Sequence, residues 1–131
     1  MKYLIDTDWA IHYLRGEERV IKKLLSLKGE GLAMSVISLA ELYQGVYRSS
    51  DPASNEKVLK DSLSGVSILG INEEICRTFG QEKERLRKSG KLIGDFDLLI
   101  ASTCLHHELT LLTDNIKHFE MVKNLKILKK D

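Results

Sequence analysis

Four acids fall where a folded chain would otherwise place apolar side chains. Asp6 ends the apolar run Tyr3-Leu4-Ile5, and Asp114 ends another, Leu109-Thr110-Leu111-Leu112-Thr113. Glu41 lies between Leu39-Ala40 and Leu42-Tyr43, and Asp97 opens Leu98-Leu99-Ile100-Ala101, with Asp95 two residues before it. Carboxylates crowded into a half-buried crevice repel one another and lose hydration, so such a set is costly unless something offsets its charge. A divalent cation does so. Oxygen-only side chains, with no His or Cys close by in sequence, suit a hard ion such as Mg²⁺ or Mn²⁺ rather than Zn²⁺. An ion of that kind keeps waters, acidifies one of them and bridges a phosphate, so the chemistry implied is phosphodiester hydrolysis.

Each acid taken alone also has a simpler account. Glu41 follows Ser38 by three residues, the spacing of a capping box at a helix start. Asp95 or Asp97 would serve as a helix N-cap. Asp6 and Asp114 would each open a turn after a strand. These accounts are independent of one another, whereas a shared metal site explains all four acids together.

For the acids to meet, the elements carrying them must converge. Short apolar runs alternate with segments of helical period, the pattern of an α/β domain with a mainly parallel sheet. Strands are expected at 3–5, 32–36, 66–69, 109–113 and 126–128. Helices fill the gaps: from Trp9 to near Gly16, Glu17 to Leu27, Leu39 to Arg48 behind Ser38, Pro52 to about Leu63 behind Asp51, and Asn72 to Lys88. A nearly all-apolar helix runs from Asp95 or Phe96 to His107, and a short one from Asn115 to Val122. The carboxyl ends of strands in such a sheet share one crevice, which brings Asp6 and Asp114 together although they lie at opposite ends of the chain.

Composition bounds the rest. A chain of 131 residues with 43% apolar and 30% charged residues is expected to form one globular domain over residues 1–131. Its 20 Lys and Arg against 19 Asp and Glu argue against binding nucleic acid by bulk charge. Setting the four acids aside leaves 15 against those 20 bases, the balance of an acidic pocket in a mildly basic protein. Cys76 and Cys104 show neither disulfide nor zinc spacing, and no stretch approaches the ~20 apolar residues of a membrane helix. A cytoplasmic protein with no membrane role is expected, since the N-terminal apolar run meets Asp6 too soon for a signal peptide.

Four blocks in order carry a resemblance: Leu4-Ile5-Asp6-Thr7-Asp8; Ser35-Val36-Ile37-Ser38-Leu39-Ala40-Glu41-Leu42-Tyr43-Gln44-Gly45-Val46; Ile93-Gly94-Asp95-Phe96-Asp97-Leu98-Leu99-Ile100-Ala101; and Leu111-Leu112-Thr113-Asp114-Asn115 with His118-Phe119. The chain resembles PIN domains, and most closely the VapC toxins of toxin–antitoxin pairs, over nearly its whole length. The resemblance implies an α/β fold, a PIN-like three-layer sandwich with a mainly parallel central sheet of four to five strands flanked by helices. It implies a Mg²⁺- or Mn²⁺-dependent endoribonuclease acting on tRNA or rRNA, a homodimer, and a VapB-type antitoxin whose tail fills the acidic groove. Asp6 and Asp97 would be the primary metal ligands and Glu41 and Asp114 would complete the site. Thr113 or Ser38 would orient a ligand or water. Asp8 stands where relatives commonly carry Asn and is either an added ligand or a cap, and Asp95 precedes the family's acid by two.

Other readings compete with this one. Asp6-Thr7-Asp8 after an apolar strand also resembles the start of a haloacid-dehalogenase-type phosphatase, with Asp6 as nucleophile and Asp8 as general acid. Trp9 and Ala10 depart from that pattern, and Glu41 would have no role in it. A non-catalytic binding module is the third alternative, at odds with four intact acids. Lys83, Arg85, Arg87, Lys88 and Lys91 are a candidate phosphate-tracking face, with Lys22, Lys23 and Lys28 a lesser one, although a solvated helix face explains either. The tail lysines 123, 126, 129 and 130 read as solubilising. His118, four residues after Asp114, is a candidate to support that acid.

Overall fold

Side-chain alternation along β1 (Tyr3–Ile5) sets the layout, since Tyr3 and Ile5 enter one apolar cluster and Leu4 enters another on the opposite face. β2 (Leu32–Ser35) repeats it with Leu32 and Met34 against Ala33, and β4 (Thr110–Leu112) with Leu112 against Leu111. Burial on both faces is what a parallel sheet covered by helices on each side demands. The computed structural model describes residues 1–128, so Lys129 and Lys130 of the basic tail lie outside the described residues. Within them, five strands form one sheet in the order β3-β2-β1-β4-β5, every pairing parallel, with β3 (Val66–Leu69) and β5 (Lys126–Leu128) at the edges.

Helices α1 (Thr7–Leu14), α2 (Glu18–Leu27), α3 (Val36–Arg48) and α4 (Pro52–Ser62) supply the apolar residues of the first cluster. The second is built from α5 (Glu73–Lys88), α6 (Asp95–His106) and the short α7 (Ile116–Phe119). The expected three-layer sandwich is therefore the fold, with five strands in the sheet. The chain moves outward through β1, β2 and β3, then crosses back to place β4 on the other flank of β1. Right-handed crossovers taken in opposite directions put helices on opposite faces. The β1/β4 boundary is thus the switch point, where the carboxyl ends of neighbouring strands open a crevice.

Helix starts account for the differences from the sequence reading. Asp6 is extended at φ −71° and ψ 159° and caps α1, which begins at Thr7, two residues before Trp9. Ser35, not Ser38, caps α3: its backbone is extended at φ −72° and ψ 145°, and its Oγ accepts from Ile37 N at 3.0 Å. The capping box of Ser38 and Glu41 is therefore absent, and Val36 opens the helix instead of ending the strand. Gly94 occupies the N-cap position of α6, displacing Asp95 into the first turn. β4 loses a residue at each end of the expected 109–113, α2 begins one residue late, and α7 is shorter than 115–122. Asn72 and Asp51 cap α5 and α4 as their spacing predicts, accepting from Ile75 N at 2.8 Å and Ser54 N at 3.2 Å. Cys76 and Cys104 are free thiols, and among the described residues no helix is long and apolar enough to cross a membrane.

Candidate active site

Strand register brings the first pair of residues together. Ile5 pairs with Leu112, so the next residues of the two neighbouring strands are Asp6 and Thr113. The Thr113 hydroxyl donates to Asp6 Oδ2 at 2.7 Å, and the Thr7 amide donates to Oδ1 at 2.8 Å. Asp6 is only 4% exposed. Its carboxyl is pushed up to about 7, first by burial and next by the charge of Asp8, with Asp97 a smaller contribution; the bonds from Thr113 and Thr7 pull downward without prevailing. Asp8 lies beside it, accepting from Trp9 N at 2.7 Å and from Asp114 N at 3.2 Å, and burial raises its carboxyl as well.

Glu41 arrives from α3, whose amino end starts at the carboxyl end of β2. Thr7 Oγ1 has Glu41 Oε1 at 2.7 Å and the buried Ser38 Oγ at 2.8 Å. An ionised carboxylate only accepts, so the Thr7 proton goes to Glu41 and the Ser38 hydroxyl donates to Thr7. Asp97, in the first turn of α6, reaches the same region: its charge is felt at Asp6, and its Oδ2 lies 3.8 Å from His118 Nδ1. Asn115 Nδ2 stands 3.0 Å from that same nitrogen. His118 therefore faces Asp97.

The other acids are turned to other partners. Asp114 Oδ1 accepts from the Trp9 indole Nε1 at 2.8 Å, while Oδ2 lies 3.6 Å from the Arg19 guanidinium and 3.7 Å from His12 Nε2. His12 in turn contacts Glu17. Asp95 is exposed and paired with Lys83 at 2.7 Å. Of the basic stretch along α5, Lys83 is matched to Asp95, Arg85 to Glu82 and Arg87 to Glu84, so much of its charge is offset locally.

Among the described residues no three Asp, Glu, His or Cys side chains are grouped closely enough to hold a metal ion as they stand. The donor set nevertheless fits a hard divalent cation. Asp6, Asp97 and Glu41 offer oxygen alone, and the Asp6 charge is opposed both by burial and by two neighbouring acids, a field that a cation reverses. The sequence singles out the acids but gives no sign of Thr7, the Trp9 indole, Arg19 and His12 beside them. Spacing holds no signal for these four, because their partners lie on other elements or, for the indole, at the far end of the chain.

A PIN domain model matches residues 3–124 of the chain. The chain is 34% identical over 122 residues to Ribonuclease VapC2 of Haemophilus influenzae, an alignment spanning 93% of this chain and 92% of that protein. To the tRNA(fMet)-specific endonuclease VapC of Shigella flexneri it is 25% identical over 126 residues, 96% of each. Its fold superposes with a TM-score of 0.93 and 31% identity, over 100% of both chains, on a chain of VapBC2 from Rickettsia felis bound to a DNA fragment from their promoter.

Proposed function

The chain belongs to the PIN-domain family, among its VapC-type members, and from that membership we propose that it is a Mg²⁺- or Mn²⁺-dependent endoribonuclease, the toxin of a VapBC pair. The buried Asp6 carboxyl carries this reading. A strand-end acid is raised to about 7 by burial and by two other acids, at the switch point of a parallel sheet, and this is costly without a cation to share it. Asp6 and Asp97 serve as primary ligands, with Glu41 and Asp114 completing the set and Asp8 at the rim. When bound among these acids, Mg²⁺ or Mn²⁺ would supply positive charge for a phosphate and would make a bound water more acidic.

The chain's own residues do the positioning. Thr113 and the Thr7 amide fix both oxygens of Asp6, and Ser38 belongs to the hydrogen-bonded chain that ends at Glu41. Arg19, half-exposed beside Asp114, is a cation at the edge of the acids that an RNA phosphate could meet. Asp95, exposed and paired with Lys83, lies in the first turn of α6 two residues before Asp97.

Transfer RNA is the first substrate class to test, since one relative is named for a tRNA, and ribosomal RNA is the second. A VapB-type antitoxin is the partner. An Arg from its tail would substitute for the cation among the carboxylates. An apolar groove of about 270 Å³, running from Glu41 between Ile11, Leu14, Leu42, Val46 and Val58, suits the rest of that segment. The toxin works as a cytoplasmic homodimer. The family match leaves the phosphatase and binding-module alternatives without support.

Purified protein incubated with total tRNA and rRNA, with Mg²⁺, Mn²⁺ or EDTA, tests the proposal. Fragments are expected with either ion and not with EDTA. RNA that stays intact with both ions overturns it.

A further inference from the structure

We propose that Thr7 is the positioning residue that sets two of the acids against each other, an inference that rests on reading the site as one for a divalent cation. Thr7 is the first residue of α1, directly after Asp6. Its amide holds Asp6 Oδ1 at 2.8 Å, while its hydroxyl holds Glu41 Oε1 at 2.7 Å across the gap to α3. One residue therefore touches both carboxyl groups, Asp6 through its amide and Glu41 through its hydroxyl. Ser38, buried one turn before Glu41 on α3, backs the hydroxyl from the other side at 2.8 Å.

The consequence concerns Glu41 more than Asp6. Asp6 is short, buried and also held by Thr113, whereas Glu41 is longer and only partly buried, so it has rotamer freedom to lose. Mg²⁺ demands near-ideal octahedral geometry, and a ligand free to wander costs affinity. Groups that orient ligands are typically worth about 10- to 100-fold in metal affinity. The tie does not require the ion to be present, because the Thr7 hydroxyl and Glu41 already meet.

Thr7→Val keeps the branched shape and the amide to Asp6 while removing only the hydroxyl; Thr7→Ser restores it. Mn²⁺ affinity, measured by calorimetry on the full chain, is expected to fall about 10-fold or more in Thr7→Val and to stay within about threefold in Thr7→Ser. Wild-type affinity in Thr7→Val, with Mn²⁺ bound normally by the parent, overturns this inference alone. So does a loss in Thr7→Ser equal to that in Thr7→Val. Failure of the wild-type chain to take up Mn²⁺ overturns the proposed function and this inference with it. A metal-free readout gives a second check: urea unfolding in EDTA of Thr7→Val, Glu41→Ala and the double variant. Coupling of at least about twofold in the unfolding constant is expected, and strict additivity contradicts the tie.

Discussion

The Thr113 hydroxyl donates to Asp6 Oδ2 at 2.7 Å across 107 positions of sequence. Sheet register produces the contact, and the bond pulls the Asp6 carboxyl down against burial and against Asp8. Thr113→Val removes the donor at nearly constant volume. Its acid limb of RNA cleavage, read from a pH–rate profile, is expected to move upward, with Thr113→Ser returning it toward the parent.

Asp6 also sets the pH dependence of stability in metal-free protein. Its folded value, about 7, lies above its ordinary 3.8, so between those limits the folded chain binds more protons than the unfolded one. Stability therefore falls as pH rises through that window, by an amount of the order of a few kcal/mol for this one group. Melting in EDTA is expected at a lower temperature at pH 8 than at pH 5. Asp6→Asn should melt higher than the parent at pH 8 and show a shallower fall between pH 5 and pH 8. The substitution thus stabilises the apo chain while removing a proposed ligand.

The Trp9 indole is buried and donates to Asp114 Oδ1 at 2.8 Å. Trp9→Phe keeps most of the apolar contact and leaves that oxygen without its donor. A loss of about 1.5–3 kcal/mol in urea unfolding is expected, with reduced cleavage as Asp114 loses the indole that orients it.

Ser35 and Ser38 differ in what they hold. Ser35 caps α3, so Ser35→Ala should cost about 1 kcal/mol of stability by urea unfolding. Ser38→Ala removes no cap. Its effect should appear in Mn²⁺ affinity, in the same direction as Thr7→Val and smaller.

The sheet and its layers were legible because burial on both faces forces short apolar strands, and parallel strands force long helical returns between them. Four acids interrupting apolar runs were equally visible, since each departs from what its neighbours require. Helix starts were less so. Ser35 and Ser38 are both competent caps, and only the end of β2 at Ser35 decides between them. Asp95 lost the N-cap to Gly94, whose extended φ of −60° and ψ of 147° needs no side-chain bond there. The direction of each acid was not legible at all. Asp114 turns to Trp9 and Arg19, and His118 to Asp97, because of which helices pack beside them. Thr7 shows the same limit: its partners sit 31 and 34 positions away on α3.

The central claim is that Asp6 and Asp97 together hold an ion that cleaves RNA. The initial rate of Mn²⁺-dependent tRNA cleavage by the wild type, Asp97→Asn and Asp8→Asn tests it most directly. Asp97→Asn is predicted to fall by about 100-fold or more, Asp8→Asn to stay within about tenfold of the wild type, and EDTA to abolish cleavage by all three. Cleavage by Asp97→Asn at the wild-type rate, or cleavage that persists in EDTA, would contradict it.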